Sequence, residues 1–395
     1  MPLSVESQRG AFQRLVEHLK AMRGASVCVG DFSLQFAESV ALILSSATEL
    51  REWHKEAIRS LCALVRERPL PGLPLALLIE RHLADRQFLL DRLELFLRDK
   101  RELRTDVAKV AATNAARIGL QPGARILVYG YSYIFPELFS GLPESIKETL
   151  QIWTPDHSRR AVSEGEFLKQ ALERDSALRV TVVSDQEALQ LVQQQRIDTF
   201  VTSAKVVGLH AGNLGIMNTA SPENLTRAAH AQGTTVLAIT GRYKMWPRDL
   251  FSQQHDTLVP NTAADEVVPA EVITWFATEA GVFTPLECRE IYEPWLAATM
   301  ECYPGWESKD ASFINLAPKD GVMYERSDKK TQQEKDGYAQ PNDVIGEAGQ
   351  HASGESTALP SLLEELVVPL IRLRPVKRVK ASGPSMAEVI RENRE

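Results

Sequence analysis

Gln121-Pro122-Gly123-Ala124-Arg125-Ile126-Leu127-Val128-Tyr129-Gly130-Tyr131-Ser132 is the stretch on which the fold turns. A proline–glycine turn leads into a short apolar run, and the run stops at a glycine and a hydroxyl. A run of this length between turn signals reads as a strand buried on both faces. Four runs of the same kind follow: Leu150-Gln151-Ile152-Trp153, Val180-Thr181-Val182-Val183, Thr199-Phe200-Val201 and Val236-Leu237-Ala238-Ile239. Helical segments separate them, among them Glu164 to Glu173, Gln186 to Gln195 and Pro222 to Gln232. Strand and helix in alternation imply right-handed βαβ units and an α/β domain with a doubly wound parallel sheet. Ligands of such sheets lie beyond the carboxyl ends of the strands, so functional residues are expected just after the apolar runs.

On either side the chain changes character. Residues 1–118 read as a helical N-terminal domain, with Leu15, Leu19 and Met22, then Ile58, Leu61 and Leu64, at helical spacing. Pro69, Pro71 and Pro74 interrupt it. Residues 119–292 form the sheet domain. Residues 293–395 read as a partly disordered C-terminal extension. From Ser308 to Ser361 it is polar and charged with few long apolar residues, and short helical candidates follow at Leu362–Leu373 and Ser385–Arg394.

The 395 residues carry 45 basic and 52 acidic side chains, a net charge of -7. That balance disfavours a phosphate-backbone grip as the main task, so nucleic acid is not an expected partner. No stretch approaches the roughly 20 apolar residues of a membrane helix. The four cysteines, Cys28, Cys62, Cys288 and Cys302, show no metal-ligand spacing and no disulfide framework. A soluble cytoplasmic protein without metal or cofactor is the expectation.

Five places could carry chemistry. Arg23-Gly24-Ala25-Ser26 reads either as an anion site at a helix start or as a capped helix with a surface arginine. Arg66-Glu67-Arg68-Pro69 either projects Arg68 toward a ligand or forms an exposed ion-pair cluster. Gly130-Tyr131-Ser132 follows the first strand, where glycine allows a ligand to approach the backbone. Ser203-Ala204-Lys205 and His210 to Ser221 follow the fourth, and Gly212, Gly215, Asn213 and Asn218 there read as a glycine-rich loop able to present N–H groups to phosphate. Arg242-Tyr243-Lys244 follows the fifth.

Taken in order, these elements resemble the family that unites the alpha, beta and delta subunits of translation initiation factor 2B with methylthioribose-1-phosphate isomerase and ribose-1,5-bisphosphate isomerase. Arg23-Gly24-Ala25-Ser26 is similar to its RGAP element, and Arg68-Pro69 falls where the isomerases carry an SRP segment. Ile126 to Ser132 resembles the first-strand motif in its initiation-factor form. Val201 to Ser221 resembles the long glycine-rich loop, with Gly215-Ile216-Met217-Asn218 the best match. Thr240 to Lys244 and Val267 to Pro285 resemble the last two motifs, the latter a closing helix and turn. The likeness spans roughly residues 10–292.

The resemblance implies a Rossmann-like sheet domain behind the helical one and a pocket between them for a phosphorylated small molecule. Carried over by position, Arg23, Gly24, Arg68, Tyr131, Ser132, Lys205, Asn218, Thr219 and Lys244 are the expected ligand-binding residues. Arginine forks and fixed backbone donors suit a phosphate dianion. The isomerases place a cysteine after the first strand and an aspartate after the fourth. Here those positions are Gly130 and Lys205, so no catalytic residue is expected. An aldose–ketose isomerase whose acid and base have moved elsewhere, with Cys28, Tyr131, His157, Lys205 or His210 as candidates, is the alternative. The family's pairing implies a homodimer, and an initiation factor or related protein is a candidate partner.

Overall fold

The structure is a computed structural model that describes residues 5–24, 29–66, 71–156, 163–176, 178–219, 222–257 and 265–300. The chain divides into two compact units, Met1–Val322 and Met323–Glu395. All described residues belong to the first, so the expected helical pieces at Leu362–Leu373 and Ser385–Arg394 lie outside them.

The amino-terminal part consists of α1 (Val5–Gly24), α2 (Val29–Ser45), α3 (Glu52–Arg66), α4 (Leu73–Arg81) and α5 (Arg86–Thr113). Each buries a helical stripe: Phe12, Val16 and Leu19 on α1, Phe36, Val40 and Ile43 on α2, and Ile58, Leu61, Cys62 and Val65 on α3. Pro74 sits in the first turn of α4, where its missing N–H costs nothing. The Asp85 side chain caps α5 by accepting from the Phe88 N–H at 3.0 Å.

Next come β1 (Arg125–Tyr129), α6 (Ile134–Ser140), α7 (Glu144–Lys147), β2 (Gln151–Pro155), α8 (Glu164–Ser176), β3 (Val180–Val183), α9 (Asp185–Gln193) and β4 (Thr199–Ser203). They are followed by β5 (Val206–His210), β6 (Asn213–Thr219), α10 (Pro222–Ala231) and β7 (Thr235–Ile239). The last elements are a 3-10 turn at Arg242–Lys244, α11 (Arg248–Thr257), β8 (Asp265–Pro269), β9 (Trp275–Thr278), β10 (Gly281–Phe283), α12 (Pro285–Ile291) and α13 (Glu293–Leu296).

The main sheet has seven strands in the order β10-β9-β7-β4-β1-β2-β3. Pairing is parallel from β9 to β3, and β10 closes one edge antiparallel to β9. Both faces are covered. Ile126 and Val128 of β1 join a core with Phe135, Phe139 and the end of α5, while Leu127 and Tyr129 join a core with Phe200, Val236 and Trp295. That is why the strands read as near-continuous apolar runs. From β1 the chain winds outward through β2 and β3, then returns to β4 on the other side, which puts the topological switch point between β1 and β4.

The segment expected as a glycine-rich loop is not a loop. Val206–His210 and Asn213–Thr219 form a hairpin, and β8 completes a separate three-stranded antiparallel sheet in the order β5-β6-β8. Ala211 and Gly212 make the two-residue turn, both at positive φ (48° and 81°) as a tight hairpin requires. The other glycines serve packing. A Cβ on Gly208 would lie 2.2 Å from the Phe251 ring, and one on Gly215 would lie 3.0 Å from Val267 Cγ1. The closing segment Val267 to Pro285 likewise differs from the expected helix and turn. It supplies β8, β9 and β10, and the helix begins only at Pro285.

Val206, Met217, Trp246, Leu250 and Phe251 do not join either core of the main sheet. They pack into the core of the amino-terminal helices, with Phe36, Val40, Ile58 and Leu89. Among the described residues no helix is long and apolar enough to cross a membrane.

Candidate functional site

β1 and β4 run side by side with Tyr129 opposite Thr202, so the segments that leave them emerge together at the switch point. After β1 the chain turns at Gly130, whose φ of 75° is a left-handed conformation that side chains other than glycine rarely adopt. There is room there: the nearest atom to an added Cβ would be Glu164 Oε2 at 3.8 Å. Ser132 is buried, and its carbonyl accepts from the Phe135 N–H at 3.0 Å to start α6. Tyr131 packs edge-on against Tyr133 at 5.1 Å and tilted against Phe167 at 6.1 Å. Tyr133 and Phe167 are both exposed, so an aromatic lip borders this end of β1.

After β4 the polar groups are dense and buried. Asn218, near the end of β6, donates through Nδ2 to Thr202 Oγ1 at 2.9 Å and to the Ser203 carbonyl at 3.3 Å. Lys244 donates through Nζ to Ser203 Oγ at 2.9 Å and to the Ala204 carbonyl at 2.7 Å. The Lys205 N–H donates to the Met217 carbonyl at 3.0 Å, which ties the end of β4 to the hairpin. Lys205, Asn218 and Lys244 are all buried. The sheet edge therefore gathers two lysines, an amide and two hydroxyls around Thr202 and Ser203, which end β4, and Ala204, which follows it. Asn218 and Lys244 already donate within the protein, so what this edge offers an anion is the positive charge of two buried lysines at a switch point.

Of the expected site residues, the structure brings Tyr131, Ser132, Lys205, Asn218 and Lys244 to this edge. Thr219 lies in the main chain of β6, opposite Asp265. Gly24 and Arg23 end α1, their side chains outside the described residues, as are Arg68, Cys28 and His157. Arg66 pairs with Glu80 of α4. His210 is elsewhere: it pairs with Asn213 at the turn end of the hairpin, five residues and on the order of 15 Å from Asn218. Arg242 is engaged as a buttress. Its guanidinium meets Asp99 Oδ2 of α5 at 3.2 Å and lies over the Trp295 ring at 5.8 Å. Its main-chain N–H donates to the Glu279 carboxylate at 3.1 Å. Burial holds the Asp99 and Glu279 carboxyls above the usual carboxylate range, with Arg242 pulling each the other way.

Thiol chemistry finds no activated group among the described residues. Cys62 and Cys288 are buried, and burial pushes the Cys62 thiol up to about 12 and that of Cys288 higher still. Ser203, which holds Lys244, is among the sequence candidates, whereas Thr202, which holds Asn218, is a polar group at this edge that the sequence did not single out. Its signal was available: it ends an apolar run at the carboxyl edge of a parallel strand.

No protein-family model and no curated protein matches the chain. Solved structures do. Translation initiation factor eIF-2B of Pyrococcus horikoshii OT3 superposes with a TM-score of 0.54 at 18% identity, over 70% of this chain and 98% of that one. The tetrameric eIF2B-beta2-delta2 complex of C. thermophilum gives a TM-score of 0.50 at 17% identity, over 74% and 95%. The 5-methylthioribose 1-phosphate isomerase of Pyrococcus horikoshii OT3 gives 0.47 at 16%, over 71% and 86%. The fold is thus that of the initiation-factor structures, in agreement with the α/β class and the resemblance read from the sequence.

Proposed function

We propose that this chain is a non-catalytic relative of the initiation-factor-2B subunits, binding a sugar phosphate or nucleoside monophosphate at the β1–β4 edge and acting through protein contacts. One observation carries the reading: where the resemblance places the acid and base of the isomerases, this chain has Gly130 and Lys205. Aldose–ketose isomerisation needs an acid and a base within hydrogen-bond reach of adjacent carbons. Glycine offers neither, and lysine reverses the charge of aspartate. The donors suited to phosphate are present at the same edge in Lys205, Asn218, Lys244 and Ser132, with Arg23, Gly24, Arg68, Thr219 and Tyr131 completing the proposed set.

In this reading the lysines supply charge, Asn218 and the hydroxyls supply direction, and the aromatic lip covers the sugar or base. Two copies pair, and the partner is an initiation factor or a related cytoplasmic protein. The proposed division is a helical domain over 1–118, a ligand domain over 119–292 and a tethering extension beyond.

Thermal unfolding of the purified chain with methylthioribose-1-phosphate, ribose-1,5-bisphosphate or AMP tests it. Stabilisation is expected, since a ligand that prefers the folded state raises apparent stability. Arg23→Ala and Lys205→Ala should each weaken it without changing the unliganded melting temperature by more than a few degrees. Conversion of either sugar phosphate to its ketose, lost in Lys205→Ala, would instead establish the isomerase.

A further inference from the structure

We propose that His210, His255 and Asp256 form a site for one divalent cation of the zinc class, at the turn end of the β5–β6 hairpin and separate from the β1–β4 crevice. Among the described residues, these are the His, Cys and acidic side chains whose ligand atoms all lie within 4.8 Å of one another. Two elements bring them together. β5 ends on His210, and α11 carries His255 and Asp256 in its last turn. The two elements are pressed close because Gly208 has no side chain to hold off Phe251, and Ser252 Oγ donates to the Leu209 carbonyl at 3.2 Å.

The geometry fits a metal better than a hydrogen-bond network. Asp256 Oδ1 is 3.7 Å from His210 Nδ1 and 3.5 Å from His255 Nδ1. Those separations are too long for good hydrogen bonds. They are close to the roughly 3.3 Å that separates neighbouring ligand atoms around a tetrahedral ion with bonds of about 2.0–2.1 Å. Both Nδ1 atoms are shielded from solvent and have no hydrogen-bond partner. Buried nitrogens of this kind carry an unmet demand that a cation would satisfy through their lone pairs. The rings face each other with centroids 3.7 Å apart and planes 13° apart, so their in-plane lone pairs run nearly parallel and the two rings must turn toward each other to share an ion. Asp256 is 66% exposed, which leaves a coordination position toward water. Two imidazoles with one carboxylate favour zinc and its first-row neighbours over magnesium or calcium.

Calorimetric titration of the full chain with Zn²⁺, paired with the visible spectrum of the Co²⁺-loaded protein, tests the site. The expected result is one equivalent bound, with a Co²⁺ spectrum of low-symmetry nitrogen and oxygen coordination. His255→Ala and Asp256→Asn should each weaken binding by roughly tenfold or more, as losing a ligand costs at least what losing its outer support does. His230→Ala, on α10, should leave binding unchanged. Melting curves without metal establish that each variant is folded. No binding by the unaltered chain, or binding of equal strength in His255→Ala and Asp256→Asn, overturns the proposal. A proton as the occupant would show instead as coupled titration of His210 and His255 in NMR with no Zn²⁺ uptake, and that too would defeat it. Sugar-phosphate binding plays no part in these outcomes, so the result stands apart from the reading of the crevice.

Discussion

Two residues show how single atoms set the fold's tolerances. Gly208 faces the Phe251 ring so closely that an added methyl group would lie 2.2 Å from it. Gly208→Ala is therefore expected to cost about 1–3 kcal/mol by overpacking. Urea unfolding checks this, and Gly208→Ala combined with Phe251→Leu should recover part of the loss because the two sites share one contact. Glu279 is only half-buried as a residue, yet its carboxyl turns inward to the Arg242 N–H, and burial raises its affinity for a proton. The folded chain then holds that proton to higher pH than the unfolded chain does. Its contribution is present below the ordinary value of 4.5 and is lost as pH rises through the raised one. Glu279→Gln keeps an acceptor for Arg242 but removes the titration, so its melting temperature should fall less than that of the unaltered chain between pH 4.5 and neutrality.

At the scale of elements, helix starts are set locally. Ser184 begins α9 and Thr284 begins α12, each with a reciprocal box in which the hydroxyl accepts from the N–H of Glu187 or Glu287 and that carboxylate accepts in return. Ser184→Ala and Thr284→Ala should each cost about 1 kcal/mol in chemical denaturation. The two follow β3 and β10, the opposite edges of the seven-stranded sheet, so the costs should add. Both boxes have the hydroxyl-x-x-Glu spacing. The central parallel strands were legible in the sequence, because burial on both faces makes them near-continuous apolar runs. The hairpin was not. Gly208 and Gly215 look like loop residues until Phe251 and Val267, far along the chain, are known to occupy the space they leave. Nor could the Arg242–Asp99 pair be read, since its partners are 143 positions apart. The carboxyl edge of the sheet was legible, with Ser203 beside Lys205, but Thr202, which holds Asn218, was visible only as a strand end.

At the scale of the described chain, side chains of the sheet half enter the core of the amino-terminal helices. Helices α1 to α4 share their core with Val206, Met217, Trp246, Leu250 and Phe251 of the sheet half. Heat unfolding followed by tryptophan fluorescence and by far-UV circular dichroism should therefore give a single coincident transition for the compact part. Phe251→Ala should lower it by about 3–5 kcal/mol at both probes, since the cavity opens in the shared core. Two separated transitions would show independent halves. This mixed core has a bearing on how such chains can diverge. Exchanging the amino-terminal third between homologues by recombination would leave five side chains of the remainder facing a foreign surface. Viable chimaeras would need compensating substitutions on both sides of the crossover, so the two parts are bound to change in step.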